Sequence, residues 1–297
     1  MSKKRRSRFE RESKAVVYFN PERDPDVLKA LFDCQLLTTS QIANLFFPSK
    51  QVAVKRLRKL FDGKFVERIH RPVVVGTKEP LYTLGKEGIE YLVEEMGLNE
   101  KDVRKSRIKA RKRNDTAYPH IIGVNQIRVA FDSASRFRDD YSMLFWQYDT
   151  ELRDEKNRSF KVKNPDNPKT SLLVTPDAFF GIETPKGKAY LFVEYQRGKV
   201  NASRFRNKML AYAAFWRDKK NGFESVFPYK GFRVLVITEQ KVDGFIRATS
   251  KVDDLLQIYY FINEVSITSD VLFDVPDAIL KPVWRAVNKD SLQCLFQ

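Results

Sequence analysis

The chain is poor in the residues that usually mark metal sites and disulfide scaffolds. It has two cysteines, Cys34 and Cys294, and two histidines, His70 and His120, in 297 residues. Cysteines this far apart argue against a disulfide framework, and the four residues match no Cys/His zinc spacing. No apolar run approaches the roughly 18 residues of a membrane span. The first residues are charged and lack the apolar segment of a secretory signal. The expectation is a soluble cytoplasmic protein with no membrane partner.

What the chain does contain is aromatic and basic. Hydrophobic residues make up 42% and aromatics 13%, with 23 Phe. That is enough to build real cores, and the length suits two domains. Basic side chains outnumber acidic ones 54 to 38, a formal net charge of +16. Residues 1–14 carry net +5, residues 38–71 net +6 and residues 101–113 net +7. The other 236 residues carry −2, so the basicity is concentrated, as on a surface that neutralises phosphates. Three basic blocks bracketing one small domain point to double-stranded DNA as partner.

Residues 25–98 read as a short helical domain closed by a hairpin. Pro25 suits a first helical position, and Val27, Leu28, Leu31 and Phe32 follow at helical spacing. Thr38, Thr39 and Ser40 offer N-caps for a second helix, and Phe47-Pro48-Ser49 makes a turn. A third helix runs from about Lys50 to Phe61 with Val54, Leu57 and Phe61 as its expected apolar stripe, and Gly63 stops it. Two beta segments, 65–69 and 80–84, and a helix near 86–96 complete the order of a winged helix-turn-helix. In such a domain Lys50 and Gln51 reach base edges, while Lys55, Arg56, Arg58 and Lys59 lie off the stripe and face the DNA. Residues 1–24 read as a basic tail and 99–118 as an exposed basic linker.

Beyond residue 119 the pattern changes. A helix over 119–137 precedes beta segments near 143–151, 175–183 and 189–196, a helix over 201–217 and a beta segment over 232–238. The order is αβββαβ, with 152–170 expected as a polar loop. DDLLQIYYFINEV, near the end, is a helix candidate. Asp177 follows Pro176 where the second beta segment begins, and Glu194 lies inside the apolar run AYLFVEYQ. A carboxylate there is costly to bury unless it is paired, hydrogen-bonded or bound to a metal. If the two strands are neighbours, both carboxylates project towards one point and suit a hard cation such as Mg²⁺. Such an ion could activate water against a phosphate. His120, Asp132 and Glu151 are lesser candidates, read mainly as packing or surface residues.

Pro176-Asp177 with Glu194-Tyr195-Gln196 on this frame resembles the PD-(D/E)xK nuclease core. That resemblance implies Asp177 and Glu194 as ligands of Mg²⁺, with Mn²⁺ able to replace it. Gln196 stands where the family usually has its catalytic lysine, and Lys208, one helical turn beyond Arg204, could supply the displaced charge. The whole chain resembles more closely the replication-relaxation family of plasmids, integrative elements and phages. The segments that carry this resemblance include LTTSQIANLFFPSKQVAVKRLRKLFDGKFVER, PLYTLGKEGIEYL, HIIGVNQIRVAF, TPDAFF and LFVEYQRGKVNASRFRNKMLAYAAF. It implies an α+β protein with a winged helix-turn-helix followed by a restriction-endonuclease-like domain over 119–297 with a C-terminal extension. Two functions follow from it: a DNA-binding protein of a mobile element acting in replication, relaxation or transfer, whose core engages or nicks a strand with Asp177, Glu194, Gln196 and Lys208, or a transcriptional or replication regulator whose inactive core serves for dimerisation or further DNA contact.

Overall fold

A computed structural model describes residues 10–12, 16–69, 78–156, 160–199, 201–252 and 255–296. Most of the N-terminal basic block and residues 70–77, which join the two beta segments of the first domain, lie outside the described residues. The chain is α+β and divides into two units, residues 1–125 and 126–297.

The first unit opens with α1 (Asp24–Cys34), which carries Pro25 in its first turn and buries Val27, Leu28 and Leu31. The short strand β1 (Leu37–Thr38) leads into α2 (Thr39–Phe46). Thr38 caps α2 reciprocally with Gln41: its hydroxyl accepts from the Gln41 N–H, and the Gln41 side chain accepts from the Thr38 N–H. After the turn at Pro48, Ser49 caps α3 (Lys50–Asp62). The buried stripe of α3 is Ala53, Leu57, Leu60 and Phe61, not one through Val54, which is exposed. Strands β2 (Val66–Ile69) and β3 (Leu81–Leu84) are antiparallel, and β1 joins β3 to give the order β1-β3-β2.

Helix α4 (Lys86–Glu94) follows Gly85, and its closeness to the α3–β2 turn explains the glycines of LGKEG. A Cβ on Gly85 would stand 2.0 Å from the Lys64 carbonyl oxygen, and one on Gly88 2.2 Å from that of Phe65. The segment read as a linker carries a helix, α5 (Glu100–Arg111), capped by Asn99. It buries Val103, Ser106 and Ala110 on one side, a stripe of small residues that leaves the charges outward. The division between the units falls inside α6 (Tyr118–Phe137).

In the second unit β4 (Ser142–Tyr148) is followed by α7 (Asp149–Lys156) and a hairpin of β5 (Phe160–Asn164) and β6 (Asn167–Val174). The stretch 152–170 is therefore not a loop: Phe160 and Val162 alternate inward with Lys161 and Lys163 outward. Strands β7 (Ala178–Thr184) and β8 (Gly187–Gln196) continue to α8 (Ala202–Arg217), a single turn α9 (Phe223–Val226) and β9 (Arg233–Thr238). Helix α10 (Asp243–Thr249) leads to β10 (Tyr259–Asn263), then α11 (Ser269–Asp274) and β11 (Arg285–Ala286). Within the candidate helix DDLLQIYYFINEV, residues 259–263 instead form strand β10: Tyr259, Phe261 and Ile262 are buried, as suits an aromatic and branched run in a central strand.

The six-stranded sheet runs β11-β10-β9-β8-β7-β4, antiparallel through β4, β7 and β8 and parallel through β8, β9 and β10. One face packs on α8 through Phe179, Phe192, Phe205, Met209, Tyr212 and Phe215. Among the described residues no helix is long and apolar enough to cross a membrane.

Candidate functional site

Two places concentrate the candidate residues, one in each unit. In the first unit the side of α3 away from its core carries Lys50, Gln51, Lys55 and Lys59, all exposed. Val52 and Val54 are exposed too, at 40% and 47%. The side chains of Gln51, Lys55 and Lys59 make no hydrogen bond or ion pair within the described residues, and Lys50 pairs with Glu79 at 3.0 Å while its side chain stays 51% exposed. No acidic residue lies in the first turn of α3, whose start is capped by the Ser49 hydroxyl accepting from the Val52 N–H.

The two arginines of α3 are placed differently. Arg56 is paired with Asp24, whose carboxylate is fully buried at the start of α1, and also donates to the Tyr18 carbonyl at 2.8 Å. Arg58 donates to Asp62 at 3.1 Å and to the Glu10 carbonyl at 2.6 Å. Both guanidinium groups bind the N-terminal segment to the back of the helix. The basic residues of α5 are partly committed as well. Arg107 and Arg111 both pair with Glu67 on β2, Arg104 pairs with Glu100, and Arg113 donates to the Gln35 side chain.

In the second unit the geometry centres on Glu194. Residues 192, 194 and 196 of β8 point to the side covered by α8, because side chains alternate along a strand. Asp177 immediately precedes β7, whose first residue, Ala178, lies opposite Val193 of β8. The Asp177 N–H donates to the Val193 carbonyl at 3.0 Å, and its Oδ2 accepts from the Tyr195 N–H at 2.7 Å. The Asp177 carboxylate thus closes the end of the ladder.

Glu194 is fully buried. Its Oε1 accepts from the Tyr212 hydroxyl at 2.5 Å, and its Oε2 accepts from Lys208 Nζ and, at 3.4 Å, from Gln196 Nε2. Lys208 and Tyr212 are one turn apart on α8 and so reach the same carboxylate together. Burial raises the Glu194 pKa, the Lys208 charge lowers it and the Asp177 charge raises it; the balance pushes it up to about 7. For Lys208 burial works downward, but Glu194 and Asp177 outweigh it and hold the ammonium above its ordinary range. The Tyr212 phenol, buried against a carboxylate, is driven well up and stays a donor.

All four candidates of the second unit are therefore gathered at one place. Tyr212 was absent from that set because an aromatic in the apolar stripe LAYAAF reads as core; its spacing of four from Lys208 was the available signal. Of the lesser candidates, Glu151 lies in α7 rather than at a strand end, and its carboxylate accepts from the Tyr148 N–H at 2.8 Å. Asp132 pairs with Arg128 at 3.5 Å, and Arg197 pairs with Glu239 at 2.8 Å. Among the described residues no group of three or more His, Cys, Asp or Glu side chains is placed to hold a metal ion.

The replication-relaxation family matches residues 28–229, which takes in α3 and every member of the Glu194 cluster. It ends before β9, so the strands that complete the sheet lie beyond the match. No curated protein and no solved structure matches the chain. The match spans more than half of the sequence, and the chain belongs to the replication-relaxation family.

Proposed function

We propose that the protein is a DNA-binding protein of a mobile genetic element, acting in replication, relaxation or transfer, and that α3 of a winged-helix unit docks duplex DNA. The observation that carries this is the outward side of α3, where Lys50, Gln51, Lys55 and Lys59 stand exposed and the helix's own first turn carries no acid. Its charge suits phosphates, and its first turns suit the major groove. The test is the salt dependence of duplex binding. About six phosphate contacts give a log–log slope near −5, and replacing Lys55 and Lys59 by Ala flattens it by up to about two, at roughly 0.9 per contact. An unchanged slope in that double variant would remove this side of α3 from the interface.

For the second unit the favoured reading is a regulatory or further DNA-contacting core. Asp177 and Glu194 are hard oxygen donors of the kind Mg²⁺ takes. Glu194, however, commits both oxygens to Lys208 and Tyr212, so an ion would have to displace the partly buried Lys208 ammonium. The arrangement as it stands does not offer a ready metal site. The opposing reading, a metal-dependent nickase, draws on the meeting of Asp177, Glu194 and Lys208. Incubation of supercoiled plasmid in Mg²⁺ or Mn²⁺ separates the two: relaxation abolished by Asp177→Ala establishes the nickase, and intact plasmid leaves the regulator.

A further inference from the structure

Val52 and Val54 are out of place on the solvent side of α3. Branched side chains are mediocre helix formers, and an exposed valine leaves apolar surface in water. Scattered exposed apolar residues need no explanation. These two, however, lie within three residues of each other, on the first turns of a helix whose remaining outward groups are an amide and lysines. At 3.6 residues per turn, the order around the exposed side is Val54, Gln51, Lys55, Val52. An amide without a side-chain partner thus has one half-exposed valine beside it and another just beyond Lys55, inside a basic surface.

That combination matches the major-groove edge of an A·T pair. Adenine presents an acceptor and a donor, N7 and N6, which a glutamine amide meets in bidentate fashion, and thymine presents its C5-methyl, which takes apolar contact. A G·C pair offers no methyl group, and its O6 and N7 acceptors call for arginine or lysine. The positive surroundings favour nucleic acid over a protein partner as the occupant, because lysine is depleted in protein–protein interface cores.

We infer that Gln51, Val52 and Val54 determine the sequence preference of α3, reading a thymine-containing A·T step through the Gln51 amide and the valine methyl groups. The inference rests on the DNA-binding reading above and adds which bases are recognised. Lys55 and Lys59, by contrast, supply affinity without sequence information.

The experiment selects binding duplexes from a randomised pool with the full chain. Each recurrent thymine is then replaced by deoxyuridine, which removes only the C5-methyl. Loss of one well-buried methyl weakens binding about fourfold at the thymines read by valine. Val52→Ala and Val54→Ala, checked as folded by circular dichroism, each abolish the sensitivity at one position. They bind the deoxyuridine duplex as well as the thymine one, with the salt slope unchanged. Selection of G·C-only sites, indifference of the wild type to deoxyuridine at every position, or retained sensitivity in both variants would overturn the inference while DNA binding stands. Failure of any duplex to bind at low salt would overturn the DNA-binding reading, and this inference with it.

Discussion

Among the described residues of the second unit, Glu194 is the carboxylate that is fully buried and whose pKa is pushed up to about 7, and Glu194→Gln removes it. Its ordinary pKa is 4.5 and its folded value is about 7. Between these two values the unfolded chain has already lost the proton while the folded chain keeps it. Raising the pH through that window therefore favours unfolding. The stability contribution is fully present below pH 4.5 and is lost as the pH climbs through about 7. An interval of about 2.5 in pH, at roughly 1.36 kcal/mol each, amounts to about 3 kcal/mol.

Glutamine cannot titrate, so the stability of the wild type minus that of Glu194→Gln should fall by about this amount between pH 4.5 and 7.5 and then level off. The assay is urea unfolding at constant ionic strength across that range. All three tryptophans, Trp146, Trp216 and Trp284, belong to the second unit, so their fluorescence follows the relevant transition. Both histidines lie before residue 126, so no imidazole of that unit titrates in the window. A difference that stays flat from pH 4.5 to 7.5 would refute the reasoning. It would mean that Lys208 and Tyr212 offset burial completely and keep Glu194 ionised throughout.

Other expectations concern the first unit. Asp24→Ala leaves the Arg56 guanidinium, 12% exposed, without its carboxylate and should cost about 3–5 kcal/mol in urea unfolding followed by circular dichroism. A cost below about 1 kcal/mol would mark the pair as an ordinary surface contact. Gly85→Ala drives a Cβ to 2.0 Å from the Lys64 carbonyl oxygen and should destabilise by about 1–3 kcal/mol, because the obstacle is backbone and cannot swing away. Thermal melts with an unchanged midpoint would show that the α3–β2 turn shifts freely.

The parts of the fold that were legible beforehand are those where local chemistry and burial agree. LTTSQIANLF carries its own capping box, and the αβββαβ order follows from strongly patterned segments that became α6, β4, β7, β8, α8 and β9. The misreadings came where a weak residue does the packing. Ala53 holds the core side of α3 while the more apolar Val54 faces out, and hydrophobicity alone ranks them the other way. Val103, Ser106 and Ala110 form a stripe too small to stand out among the charges of α5. Phe160 and Val162 were masked by the lysines that alternate with them.

Charge shows the same contrast between local and distant causes. Glu194 announced itself because a carboxylate inside AYLFVEYQ is costly unless something compensates it, and Lys208 could be sought within reach. Arg56 gave no such sign, since nothing in KQVAVKRLRKLF distinguishes a guanidinium bound for Asp24, 32 positions earlier, from one aimed at phosphate. On a basic helix the count of positive charges is therefore an upper bound on those available to a ligand. On α3 it is Lys55 and Lys59, on long stems and without internal side-chain partners, that stay outward. The arginines, whose planar donors match buried carboxylates and carbonyls, are drawn into the fold.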